Sequence, residues 1–274
     1  MATGLITLTT DFGTRDAYVG AMKGVIASIA PKARVIDVSH EVPPQQILFG
    51  AFVLHGVWAY YPEGTIHVAV VDPGVGSNRS IILARYAGRY LIAPDNGLAT
   101  MVHRHFPIEE AYVVENRSLF LPRPSSTFHG RDIMAPVAAH LANGLKPARV
   151  GRACERIELL PIEFRGTVKN DGVHGRVIYV DRFGNLVTNV RLDDLGPLQR
   201  IRNSLHVHVD GRDIGPLRHA YHEVKPATPL ALVGSSGFIE IAVNCGSAVG
   251  QFPADARVRI DSTQKESASP GAGS

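Results

Sequence analysis

A chain of 274 residues, 45% hydrophobic and 19% charged, can bury one large core or two ordinary ones, which excludes a disordered protein. A formal net charge of +3 with no Lys/Arg block does not call for a nucleic-acid partner and is compatible with a carboxylate-bearing ligand. Cys154 and Cys245 form no CxxC and no zinc spacing, and no signal peptide or bilayer-length apolar run is evident, so the expectation is a soluble cytoplasmic protein with reduced thiols.

Leu5-Ile6-Thr7-Leu8-Thr9 is a β-prone run. From Asp16 to Ile29, Val19, Met22, Val25, Ile26 and Ile29 recur at helical spacing, and Pro31 stops the helix. Residues 34–38 read as a strand. Residues 44–60 read as a helix, with Ile47, Leu48, Ala51, Leu54, Val57 and Trp58 on one face and Pro62 beyond its end. Ile66 to Val71 is a buried strand by its unbroken apolar character, and strands follow at 80–84, 90–93 and 111–114. A helix is expected from Asp132 to Leu141, with Pro136 early in it. Alternating strands and helices predict an α/β N-terminal domain, residues 1–162, with a central, mostly parallel sheet flanked by helices. Beyond it the pattern changes to short β runs at 175–180, 205–209 and 237–243, with Asp210-Gly211 a hairpin signal. Residues 163–262 are expected to form an antiparallel β domain of barrel type, and 263–274, small and polar, a disordered tail.

The polar residues that follow these strands are the candidates for chemistry. In an open α/β sheet the carboxyl ends of strands line the ligand crevice. Asp11 stands there after the first strand. Its carboxylate suits a pair of ribose hydroxyls, or simply caps the next turn. Asp72 follows the buried strand, and the loop Pro73 to Asn78 can return Arg79 to it. His129, in Thr127-Phe128-His129-Gly130-Arg131-Asp132, is the third candidate. Converged, these three can orient a water and withdraw its proton; apart, they are an ion pair and an ordinary histidine. Asp95 and Asn96, in Pro94-Asp95-Asn96-Gly97, form a plain turn or a ligand-facing loop. In Asp181-Arg182-Phe183-Gly184-Asn185, Asp181 can pair with an ammonium, Phe183 can stack on a base and Asn185 can read its edge. Gly234-Ser235-Ser236-Gly237 can present N–H groups and hydroxyls to a carboxylate. The pairs His103/His105 and His206/His208, if on strands, each share a face, but no acidic or cysteine partner stands nearby in the right rhythm and no metal site is expected.

Together and in this order, Thr10-Asp11-Phe12-Gly13, Asp72-Pro73-Gly74-Val75-Gly76, Arg79, Ala93 to Gly97, Thr127 to Asp132, Asp181 to Asn185 and Gly234 to Gly237 resemble the S-adenosyl-L-methionine hydroxide adenosyltransferases, adenosine-forming hydrolases related to fluorinase and chlorinase. The resemblance runs from about residue 5 to 261. It implies attack of water-derived hydroxide at ribose C5′, giving adenosine and L-methionine with no metal or redox cofactor. It also implies a homotrimer, with sites between the N-terminal domain of one subunit and the C-terminal domain of the next. Asp72, Arg79 and His129 fall on the family's water-activating triad, and Asp11 on its ribose-binding aspartate. Phe183 and Asn185 match adenine-side positions, while Asp181 and Ser235 match those holding the methionine amino and carboxylate groups. Phe128, Asp95, Asn96 and Ser236 complete the substrate-side set. Halogenating relatives carry a tyrosine for Asp72, a serine for Gly130, an arginine for Ser236 and an aromatic residue for Gln45. An anion at Asp72 repels a halide, which disfavours a halogenase of this fold. A metal-dependent phosphoesterase using Asp11, Asp72, Asp95 and His129, and a non-catalytic protein that binds S-adenosylmethionine or adenosine, are the other readings.

Overall fold

The computed structural model describes residues 2–262, so the expected tail at 263–274 lies outside the described residues. The chain divides into two compact units, Met1–Pro161 and Ile162–Ser274. The first carries, in order, β1 (Leu5–Thr10), α1 (Tyr18–Ile29), β2 (Arg34–Ser39), α2 (Ile47–Trp58), β3 (Ile66–Val70), β4 (Ile81–Tyr86), β5 (Arg89–Pro94), α3 (Thr100–His105), β6 (Ile108–Val113) and α4 (Ala135–Ala142). Its six strands form one sheet in the order β2-β1-β3-β5-β4-β6.

Successive side chains of a strand point to opposite faces, and both faces of this sheet are covered. Ile6, Leu8, Ile66, Val68 and Val70 join Met22 and Ile26 of α1 and Val137 and Leu141 of α4 in one core. On the other face Thr7 shares a 2.8 Å hydrogen bond with Nδ1 of His67, and Trp58 of α2 stacks on the His67 ring at 4.5 Å. Burial pushes His67 down to about 3, so this imidazole is a neutral packing group.

The sheet is mixed, with a parallel part and an antiparallel part. β1 pairs in parallel with β2 and β3, and β3 with β5, but β4 runs antiparallel to both β5 and β6. The cause is a two-residue turn, Ala87-Gly88, with φ of 45° and 77°. Positive φ at both central residues closes a tight hairpin, so β5 must return beside β4. Helix cover is modest, since α3 has six residues and α4 eight.

A π-turn at Gly130–Met134 leads into α4. Pro136 has no N–H to offer the Asp132 carbonyl, and the Leu121 N–H donates to it instead, at 3.0 Å. His103 and His105 lie on α3, not on a strand, and so do not share a face. His103 bonds the Tyr86 hydroxyl and His105 the Met101 carbonyl.

The second unit contains β7 (Thr167–Lys169), β8 (Gly172–Val180), β9 (Leu186–Arg191), β10 (Leu205–Val209), β11 (Arg212–Arg218), β12 (Pro229–Val233), β13 (Phe238–Val243) and β14 (Arg257–Ser262). Their order is β14-β10-β11-β12-β13-β9-β8-β7, and a β14–β8 pairing closes seven of them into a barrel. Closure removes the exposed edges that an open sheet would leave. The barrel is not wholly antiparallel, because β11 and β12 pair in parallel. Residues 219–228 make the longer connection that a parallel pair requires. The Asp210-Gly211 hairpin forms between β10 and β11 with φ of 46° and 82°. His206 and His208 have acidic neighbours, Asp213 at 2.8 Å across the β10–β11 hairpin and Asp261 at 3.3 Å on the paired strand β14. Among the described residues no group of three or more His, Cys, Asp or Glu side chains is placed to hold a metal ion.

Candidate active site

Parallel β1, β3 and β5 set their carboxyl ends along one edge, so Asp11, Asp72 and Asp95 all emerge there. The loop after β3 turns sharply: Val75 N–H donates to the Asp72 carbonyl at 3.2 Å and Ser77 N–H to that of Gly74 at 3.1 Å. Gly76 has φ +80°, and a Cβ on it would lie 2.4 Å from the Ser126 carbonyl oxygen. Only glycine lets this loop lie so close to the segment that carries His129.

The loop returns Arg79 onto Asp72. Arg79 Nε lies 2.9 Å from both carboxylate oxygens, and its Nη2 also bonds Oδ2. The same Nη2 is 2.8 Å from Nδ1 of His129. A guanidinium has no acceptor, so Nδ1 accepts and a neutral ring must carry its proton on Nε2. Burial first, and the Arg79 cation second, hold the His129 imidazole below its ordinary value, against the opposing pull of Asp72 and Asp132. Neutral His129, cationic Arg79 and anionic Asp72 thus form one hydrogen-bonded row. Side-chain exposure is only 5% for Asp72 and 11% for Arg79, so the pair works in a medium of low screening.

A cavity of about 400 Å³ opens beside this row, lined by Asp72, Val75, Phe128 and His129 together with Asp11, Phe12, Tyr18, Pro44 and Gln45. Phe12, Tyr18 and Phe128 form an aromatic wall with centroids 5.2–5.7 Å apart. Asp11 accepts the Gln45 backbone N–H at 2.8 Å, and Gln45 sits at φ 66° to supply it. Non-glycine residues seldom adopt that conformation, and it recurs at ligand clamps.

Asp95 and Asn96 do not line the cavity. Asp95 accepts the Glu158 N–H at 2.8 Å. Asn96 donates its amide to the Val71 carbonyl at 2.9 Å and accepts from Leu98 N–H at 3.2 Å. Asn96 therefore braces the residue just before Asp72.

Asp181, Phe183 and Asn185 belong to the second unit, in the β8–β9 loop. Asp181 accepts from the N–H groups of Phe183 and Asn185 at 2.8 Å each, and from the Asn185 side chain at 2.9 Å. Three lone-pair sites are used and one remains for a ligand. Phe183 is 77% exposed, a large apolar ring presented outward. Ser235 and Ser236 form the turn between β12 and β13, closed by a 3.0 Å bond from Gly237 N–H to the Gly234 carbonyl.

Sequence reasoning missed Tyr18, Tyr221 and Glu240. Glu240 lies against Gly234, where an added Cβ would meet its carboxylate. Burial first and the Asp181 charge second push it up to about 7. Burial first, then the Glu240 and Asp181 charges, push the Tyr221 hydroxyl up. Neither residue carries a local signature, since β13 reads as an ordinary strand and the 219–228 connection as a loop.

Residues 6–151 match the family described as SAM hydroxide adenosyltransferase N-terminal domain, and residues 175–261 the corresponding C-terminal domain. A protein of Thermus thermophilus named (R)-S-adenosyl-L-methionine hydrolase is 38% identical over 87% of this chain and 91% of its own length. One of the same name from Methanocaldococcus jannaschii is 43% identical over 70% of this chain and 68% of its own. Proteins named fluorinase match at lower identity, 32% for that of an Actinoplanes species over 70% of this chain and 73% of its own. A crystal structure of an uncharacterized conserved protein from Thermotoga maritima superposes with a TM-score of 0.86 at 38% identity, covering 93% of this chain and 99% of that one.

Proposed function

We propose a reaction from one premise: the chain belongs to the SAM hydroxide adenosyltransferase family. The reaction is hydrolysis of S-adenosyl-L-methionine to adenosine and L-methionine. A water oxygen forms a bond to ribose C5′, the C5′–S bond breaks, its electron pair leaves with the methionine thioether, and the proton of the attacking water is released. The observation that carries this reading is the Asp72–Arg79–His129 row bordering a nucleoside-sized cavity.

The leaving group departs from a sulfonium as a neutral thioether, so no general acid is required. The difficulty is the nucleophile, because water is weak and neutral. In the proposal Arg79 stabilises the developing hydroxide, Asp72 keeps Arg79 in place and supplies negative charge that draws off the proton, and neutral His129 orients the water. Holding that water in line with C5′ contributes on the order of 7–11 kcal/mol. Asp11 receives the ribose hydroxyls, and Phe128 with Phe12 and Tyr18 packs against the nucleoside. The proposal gives Asp181 and Ser235 the methionine amino and carboxylate groups, and gives Phe183 and Asn185 the adenine side. Asn96 acts through Val71 rather than on the substrate. Homotrimeric assembly and a cytoplasmic site of action belong to the same proposal. No helix among the described residues is long and apolar enough to cross a membrane.

Incubating the protein with each sulfonium epimer and separating the products by chromatography tests the reaction. The expected result is adenosine and methionine in equal amounts, formed faster from the (R) epimer. Retention of unchanged substrate would instead identify a binding protein.

A further inference from the structure

The outer face of the barrel carries a cationic cavity that the proposed chemistry does not use. Along β8 and β14 the inward positions are Val173, Val177, Val258 and Ile260, all in the barrel core. The alternate positions point outward and hold His174, Arg176, Arg257 and Arg259. Strand register sets Arg257 directly opposite Arg176 and Arg259 opposite His174. Like charges directly opposite each other weaken a sheet, so such a pair calls for a counter-charge.

That counter-charge is only partly supplied from within. Arg259 pairs with Asp261 at 3.1 Å and with Asp171 at 3.8 Å, and Asp171 also takes His174 at 2.8 Å. Arg165, Lys169, Arg176 and Arg257 form no ion pair with a described residue. These four, with Arg259, border a cavity of about 470 Å³ whose lining includes one carboxylate, Glu163. The rim is fixed rather than loose. Asn189, only 5% exposed, donates to the carbonyls of Glu163 and Arg165 at 3.0 Å each and accepts the Arg176 N–H at 2.8 Å. One buried amide therefore ties the Arg165 strap to β8.

We propose that this cavity binds a small oligophosphate, the chain of a nucleoside triphosphate or an inorganic tripolyphosphate. Guanidinium forks match phosphate oxygens two at a time, and three of the four uncommitted cations are arginines. The volume lies within the range of small-molecule sites. A nucleic-acid strand needs cations continuing along a track, whereas these surround one cavity.

The test is calorimetric titration of the full chain with inorganic tripolyphosphate, with ATP and with a short single-stranded oligonucleotide, at fixed moderate salt. Saturable binding of tripolyphosphate or ATP at one site per chain is expected, weakened about tenfold or more by the double variant R176Q/R257Q, which is about 1.4 kcal/mol or more of binding free energy. Both arginines are exposed, so folding should survive, and Lys169→Gln provides a second variant with a smaller loss. ATP binding the tighter identifies a nucleotide and tripolyphosphate the tighter identifies the inorganic chain; each upholds the site. No saturable binding of either, unchanged binding by the variants, or an oligonucleotide bound about tenfold tighter than both overturns the proposal.

Discussion

Asp72→Asn lowers kcat for adenosine formation by about a thousandfold or more, while S-adenosylmethionine still binds. The substitution preserves size and removes one negative charge. In the native site both carboxylate oxygens receive Arg79, and the pair is nearly closed to water. An asparagine in their place turns an N–H group toward a guanidinium that can only donate. Arg79 then loses its anchor and His129 the fixed donor to its Nδ1, so the hydroxide-stabilising row comes apart in one step. Removing one partner of a buried pair also costs stability, about 3–5 kcal/mol where burial is complete, so the melting temperature must be followed alongside turnover. A folded variant with wild-type affinity and wild-type kcat would show that Asp72 has no part in the chemistry.

His129→Ala is the second large effect, a fall in kcat of about a hundredfold to a thousandfold. Its pH behaviour separates a chemical role from mere packing. The imidazole pKa is depressed by burial and by Arg79, so the ring is neutral at pH 7 and becomes protonated only as pH falls through that lowered value. A protonated ring cannot accept from Arg79, and a second cation beside the guanidinium disrupts the row. In the wild type, kcat should therefore be insensitive to this group above its ordinary pKa of about 6.5 and should fall on an acid limb lying below it. The variant should lose that limb along with its rate. An acid limb unchanged in His129→Ala assigns the titration elsewhere and His129 a packing role.

Much of this site was legible because its chemistry sits at strand ends. The unbroken apolar run before Asp72 gives β3, and the glycine-bearing loop that follows is short enough to return Arg79 to the carboxylate. His129 was readable only as a candidate, since its approach depends on Gly76 and Ser126 touching. Asn96 lies apart from the cavity lining, with its side-chain amide committed to the Val71 carbonyl. A polar residue after a strand looks ligand-facing, but a side chain that reaches an open carbonyl on the neighbouring strand is spent there. The mixed sheet was hidden because Ala87-Gly88 is not a usual hairpin dipeptide, although the structure gives both residues positive φ. Of the remaining barrel strands β11 was signalled only through the Asp210-Gly211 hairpin and β7, β9, β12 and β14 were not placed one by one, and closure of the barrel depends on the non-local β14–β8 pairing that no local pattern encodes. The cationic cavity arises in the same way, from register rather than from a run of basic residues.

Turnover of S-adenosylmethionine in water enriched in oxygen-18, with mass analysis of both products, tests the central claim most directly. Adenosine labelled at its 5′-hydroxyl and unlabelled methionine are the predicted result. Unlabelled adenosine, or a thioether-bearing nucleoside accompanied by a labelled amino-acid fragment, would contradict attack by water at C5′.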